Sequence, residues 1–261
     1  MIVLLFVGFQ AKAQSSLEAA PVDTTINKDS TQQLSILIVP FNPAMYFSDA
    51  DKDISEQSNV DQTKVKDKFS GSLESTLNEH IGLYYDTKSI SKQPDAVDDL
   101  DIIFGSINYK AETKQKEEAP KEEGEEESSA KKFFKGLKKT MNSVVGDTTQ
   151  KAENTESYMN ISFDDNRLIK FLTEKYKSEY VLFINQFEVK TDYENCIDLQ
   201  LRKYYREIKV HYTLVSKDGK QVSGNVITLP YHSNENKVEN IVKENFGEVS
   251  NQILNKIYKQ K

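Results

Sequence analysis

Four consecutive apolar residues, Ile36-Leu37-Ile38-Val39, closed by Pro40, limit what this chain can become. Successive side chains of an extended strand point to opposite faces, so a strand that is apolar throughout buries both. A sheet built around it needs cover on each side, which an α/β arrangement supplies with helices. The flanking pattern agrees. Val65, Phe69, Leu73, Thr76 and Leu77 fall on one face of a helix predicted from Asp61 to His80. Gly82 ends it, and Leu83-Tyr84-Tyr85 opens a second strand, the pattern of a parallel crossover.

Asp101 to Tyr109 reads as a third strand. Core periodicity then lapses from about Lys110 to Asn160, and so long a stretch is uncommon within a domain unless it is an insertion. A helix near Asp164 to Lys177 follows, with Leu168, Ile169, Leu172 and Tyr176 as its stripe, and a central strand from Tyr180 to Val189. Ile208, Val210, Tyr212 and Leu214 alternate up to Asp218-Gly219, and Val222, Val226 and Thr228 return, which is a hairpin with a tight turn. A last helix from about Asn236 to Tyr258 buries Val238, Val242, Phe246, Val249, Ile253 and Ile257. The predicted fold class is α/β, a mixed sheet with helices packed on it. It is a single domain (34–109 and 161–261) interrupted by a charged insertion at 110–160.

The amino terminus points to export. Ile2 to Phe9 are apolar, and small residues at Ala11 and Ala13 fit a signal-peptidase site, with cleavage expected before Gln14. The run is too short to span a bilayer as a helix. Residues 14–33, rich in Ser, Thr, Asp, Asn and Gln, read as a flexible leader. Cys196 is the single cysteine, so no internal disulfide is expected, and no cysteine follows the apolar run to carry a lipid. The expected location is periplasmic or secreted. A net charge of -7 argues against general nucleic-acid binding.

Three segments carry a family resemblance. Ile36 to Phe41 is similar to an "I-x-V-x-P-F" opening, and Leu172 to Phe187, with Glu179-Tyr180-Val181, resembles a helix followed by "A-D-Y-V". Gly105-Ser106-Ile107 resembles that second segment too, and the later match is preferred because a hairpin and a terminal helix follow it. Leu214 to Val222 looks like the "L-V-D-x-x-T-G-x-V" hairpin. These motifs resemble a periplasmic α/β superfamily. It includes the curli-secretion protein, the lipoprotein activators of penicillin-binding proteins and the amino-terminal domain of the Tol-associated periplasmic protein. The resemblance covers about half of the chain and implies a fold and a non-enzymatic role in envelope assembly. Without the lipidated cysteine, channel and anchored-activator roles do not carry over.

Chemistry-bearing motifs are few. His80 ends a helix, His211 falls on the polar face of the hairpin and His232 in a loop, with no metal-ligand spacing among them. No Gly-rich phosphate loop or nucleophile elbow is present, and the chain is read as a non-enzyme without cofactors. Asp49, Asp51 and Asp53 copy the first ligand positions of a calcium loop, but Ile54 stands where the turn needs Gly and Val60 where it needs Glu. A solvated acidic loop is the favoured reading. Pro43, Met45, Tyr46 and Phe47 beside it offer an apolar contact. Arg202, Lys203, Tyr204, Tyr205 and Arg206 read as snorkelling edge-strand residues at the hairpin entrance.

The insertion holds the sharpest local pattern. Phe133, Phe134, Leu137, Met141, Val144 and Val145 fall within an arc of about 120° of a helix predicted over 129–146. Lys131, Lys132, Lys135, Lys138 and Lys139 fill the adjoining arc. Such a helix is marginal alone and needs an apolar partner surface, its own domain, an anionic membrane face or a protein groove. Three Asp-(Ser/Thr)-Thr triplets, at Thr24, Ser30 and Thr148, are candidate O-glycosylation sites. Together these features predict an exported envelope protein that acts as a binding or assembly module. The partner is expected to be an envelope protein or an anionic membrane surface met by the inserted helix. A small-ligand or calcium-binding protein using the 43–53 loop and a hydrolase with a dispersed site are the rivals.

Overall fold

The strand predicted to be apolar on both faces is β1 (Ser35–Val39), buried at every position. Its side chains divide as the argument requires. Ile36 and Ile38 enter one apolar cluster, and Leu37 and Val39 enter another on the opposite face of the sheet. β1 lies parallel to both of its neighbours, β3 (Asp86–Ser89) and the long β6 (Tyr180–Asp198). β2 (Tyr46–Ser48) pairs in parallel with β6 farther along, at Phe187 to Val189. β7 (Lys203–Ser216) and β8 (Gln221–His232) follow antiparallel, giving the order β3-β1-β6-β7-β8. A second, two-stranded antiparallel sheet pairs β4 (Ile107–Gln115) with β5 (Thr155–Phe163). This computed structural model describes residues 34–115, 155–198, 200 and 203–258, which fall in one unit of the chain. The fold is α/β, a mixed sheet with helices packed on it.

One face is covered by α1 (Asp51–Ser58), α2 (Gln62–Ile81) and α5 (Val238–Tyr258), which contribute Ile54, Phe69 and Phe246 among others. The α2 stripe is the predicted one at Val65, Phe69, Leu73 and Leu77. Thr76 is half-buried and returns its hydroxyl to the Ser72 carbonyl at 2.9 Å. Asp61 caps the helix by accepting from the Thr63 amide at 2.8 Å. Phe187 of β6 stacks on Phe69 at 5.3 Å and meets Phe246 edge-on at 5.9 Å, joining the sheet to both long helices. Each such ring contributes roughly 1.5–3 kcal/mol through burial.

The other face is covered by α3 (Ala96–Ser106), α4 (Arg167–Tyr176) and the β4–β5 ribbon. Leu168, Ile169, Leu172 and Tyr176 of α4 are buried as expected. Gly219 takes φ +77° in the β7–β8 turn, the left-handed backbone anticipated at Asp218-Gly219.

Several expectations need correcting. Residues 101–106 are helix, not strand; the strand begins only at Ile107. A short apolar run such as Ile102-Ile103-Phe104 does not decide between the two by periodicity. The second strand starts at Asp86 rather than Leu83, after a turn that leaves Leu83 and Tyr84 exposed and Tyr85 buried. Strand structure reaches inside the expected insertion from both sides, to Gln115 and from Thr155. Those two residues are cross-strand neighbours, so the ends that flank residues 116–154 lie side by side. The leader 1–33, the helix predicted over 129–146 with its Phe and Lys set, and the triplets at Thr24, Ser30 and Thr148 lie outside the described residues.

Candidate functional site

The acidic positions Asp49, Asp51 and Asp53 sit where β2 gives way to α1, the last two in the first turn of the helix rather than in a loop. Each carboxylate has a different protein partner. Asp49 accepts from the Thr191 amide at 3.0 and 3.1 Å and from the Thr191 hydroxyl at 2.9 Å. Asp51 accepts from the Tyr46 phenol at 2.5 Å. Burial, then that bond, push the Tyr46 phenol far above its ordinary range. Asp53 pairs with Arg206 at 2.5 Å. Among the described residues no three His, Cys, Asp or Glu side chains are grouped as metal ligands.

Arg206 is not a snorkelling edge residue. β7 lies between β6 and β8, and Arg206 is buried. Its guanidinium donates to Asp53, to the Asn236 side chain and, at 3.0 Å, to the Thr191 hydroxyl. Tyr205 is buried too, Lys203 and Tyr204 are half-buried, and Arg202 lies outside the described residues. The cluster ties α1, β6, β7 and the entry to α5 together, and Ser58 strengthens it by accepting from the Val238 amide at 2.9 Å. A desolvated guanidinium needs partners for its donors, and each of its three nitrogens has one here.

A second polar cluster lies between the sheet and the ribbon. The pairing of β6 with β7 slips between Ile184 and Gln186. A bulge of this kind re-aims side chains. Ile184 and Phe187 enter the helix-side core, while Asn185 and Gln186 both serve the ribbon side. Asn185 donates to the Met159 carbonyl at 2.8 Å and to the Thr213 hydroxyl at 2.7 Å. The Met159 amide donates to Nδ1 of His211 at 2.9 Å. Both backbone groups of Met159 are therefore held by sheet side chains, along the edge of β5 opposite β4.

His211, expected on the polar face of the hairpin, is buried. Because Nδ1 accepts, Nε2 carries the proton and donates to Oε1 of Glu188 at 3.1 Å. Gln186 donates to that oxygen as well, and Lys190 pairs with Oε2. Burial alone would raise the Glu188 carboxyl; the His211 bond and Lys190 outweigh it and hold the group at about 2. The layer continues through Thr213, whose hydroxyl donates to Asn160 at 2.5 Å, and Asn160, which donates to Gln221 at 2.8 Å. At the ribbon's far end the Tyr158 hydroxyl donates to Glu112 at 2.8 Å, and Lys114 lies over its ring and reaches the Gly224 carbonyl at 2.5 Å.

Among the described residues Glu188 and His211 form a carboxylate–imidazole pair, and its geometry is occupied. Both ring nitrogens are used within the protein, and no hydroxyl or thiol stands on the imidazole. His80 lies in the last turn of α2, and His232 closes β8 rather than standing in a loop. Cys196 lies in the outer part of β6, 3.4 Å from the Lys203 carbonyl. A shallow depression of about 330 Å³ is lined by Asn166, Arg167, Lys170, Lys217 and Asp218. A smaller apolar one of about 60 Å³ lies among Leu34, Ile36, Tyr85, Tyr180, Leu214, Val222 and Ile257. Neither brings two carboxylates together.

Neither Arg206 nor His211 was identifiable as buried from local pattern. The alternation of Ile208, Val210 and Tyr212 sets His211 on the opposite face, which the ribbon covers, whereas Arg206 shares their face and is covered by α1 and the entry to α5. No family model matches the sequence, and no curated protein matches it. No helix of the described residues is long and apolar enough to cross a membrane.

Proposed function

We propose that the protein is an exported, non-catalytic binding module that presents residues 116–154 to an envelope partner. One observation carries the reading: Gln115 and Thr155 are cross-strand neighbours at the end of a ribbon anchored on the sheet. The two described residues that flank the segment therefore lie side by side. Its sequence supplies what a docking element needs, Phe133, Phe134, Leu137 and Met141 on one arc and Lys131, Lys132, Lys135, Lys138 and Lys139 on the next. The commitment of Arg206, Glu188, His211 and the three aspartates to partners within the fold supports a structural rather than catalytic use of these groups. The partner is an anionic membrane surface or an acidic groove on an envelope protein. Export rests on the apolar run before Ala11-Lys12-Ala13.

Vesicle flotation tests the reading. Full-length protein is expected to rise with vesicles of anionic lipid at low salt and to stay behind with neutral ones. Phe133→Asp with Phe134→Asp abolishes the attachment. Equal behaviour of wild type and the double variant would remove the helix as the binding element.

A further inference from the structure

The ribbon's anchorage contains a titratable acceptor. A neutral imidazole can accept at one nitrogen while donating from the other; an imidazolium carries N–H on both and accepts nothing. In the docked arrangement Nδ1 of His211 receives the Met159 amide at 2.9 Å while Nε2 faces Glu188 at 3.1 Å. Adding a proton to His211 sets two N–H donors against each other. We propose that protonation of His211 is an acid-triggered release for the β4–β5 ribbon, loosening its β5 edge from the β6–β7 sheet.

The neighbouring charges decide whether Glu188 would absorb the added proton's charge without movement. On β6, the Glu188 carboxylate already has Lys190 as its counter-ion. On β7, Lys209 pairs with Glu207 at 3.2 Å. From the ribbon, β4 brings Lys110, Glu112 and Lys114, and β5 brings Glu156, whose carboxylate accepts from Thr228 of β8 at 3.3 Å. β8 sets uncharged Val226 directly opposite His211. An imidazolium keeps its Nε2–H bond to Glu188, but its Nδ1–H faces the Met159 amide with no acceptor. Two buried N–H groups set against each other are unfavourable, and the cheaper outcome is to admit water. The ribbon is the element that yields. Its hold at Met159 consists of two side-chain bonds, whereas β6 and β7 are joined by a long backbone ladder.

The release does not depend on what residues 116–154 bind, because its groups all lie within the domain. Hydrogen–deuterium exchange on the full chain, corrected for the intrinsic pH dependence of exchange, reads it directly. Protection of amides in 156–162 is expected to fall by at least about tenfold between about pH 7.5 and about pH 5.5, with β1 and the first half of β6 unchanged. His211→Gln keeps an acceptor and a donor but cannot titrate, so its ribbon stays protected at both pH values. A wild-type ribbon that keeps its protection at the lower pH, or loses it equally in His211→Gln, overturns the proposal. Ring-nitrogen NMR on the wild type gives a reading free of variants. The Nε2–H tautomer is expected near neutral pH, with the Met159 amide resonance moving as the ring titrates. Titration of the ring with a stationary Met159 amide contradicts the release.

Discussion

Arg206 and Asp53 form an ion pair of 2.5 Å between β7 and the first turn of α1, yet the two ends of the pair are unequal. The Arg206 side chain is 5% exposed and the Asp53 side chain 53%. Removing the arginine strands the buried Asn236 and the Thr191 hydroxyl, so Arg206→Ala is expected to destabilise the domain by about 3 kcal/mol. Asp53→Ala leaves the guanidinium its Asn236 and Thr191 bonds and removes a solvent-screened charge, an effect of about 1 kcal/mol. Urea denaturation of the two variants measures the difference. Equal losses would mean that the pair, rather than the buried network, holds α1 to the sheet.

Glu188 makes stability depend on acid. Its folded carboxyl is held at about 2, below the ordinary 4.5. The stabilisation is therefore complete above about pH 4.5 and lost as the pH falls toward 2. By linkage the displacement corresponds to a total on the order of 3 kcal/mol. Urea midpoints taken from about pH 5 to about pH 2.5 should fall more steeply for wild type than for Glu188→Gln, which has no proton to take up. Parallel curves would show that Glu188 is not the titrating group.

Phe187 stands at the junction of β6, α2 and α5, fully buried and within 6.0 Å of the rings of Phe41, Tyr46, Phe69 and Phe246. Phe187→Ala opens a cavity shared by three elements that cannot all close on it. The expected loss is about 4 kcal/mol, near the upper end for such truncations. Calorimetry or urea titration checks it; a loss below about 1.5 kcal/mol would indicate a junction that collapses freely.

Much of this architecture was legible because burial imprints a period. The unbroken run Ile36 to Val39 demanded cover on both faces, and it has it. The stripes of α2, α4 and α5 and the Asp218-Gly219 turn follow from local spacing in the same way. The ribbon was not legible. β4 and β5 rest partly on polar contacts, and a strand such as Ile107 to Gln115, with Lys110, Glu112 and Lys114 in alternate places, resembles a charged linker. The groups of the candidate site were hidden for a further reason. Arg206 meets Asp53, and His211 meets Met159, only after the sheet has assembled. Burial of a lone basic residue leaves no periodic trace when its partners are that distant in sequence.

In the proposed function residues 116–154 carry the partner contact. Because Gln115 and Thr155 already face each other across the ribbon, an Asn-Gly turn can replace the segment without disturbing the strands. The decisive measurement compares flotation of this shortened chain with that of the full chain on anionic vesicles at low salt, after both are shown to unfold cooperatively. The full chain is expected to float and the shortened chain, equally folded, to remain in the soluble fraction. Flotation of both to the same extent, or of neither, would contradict the account.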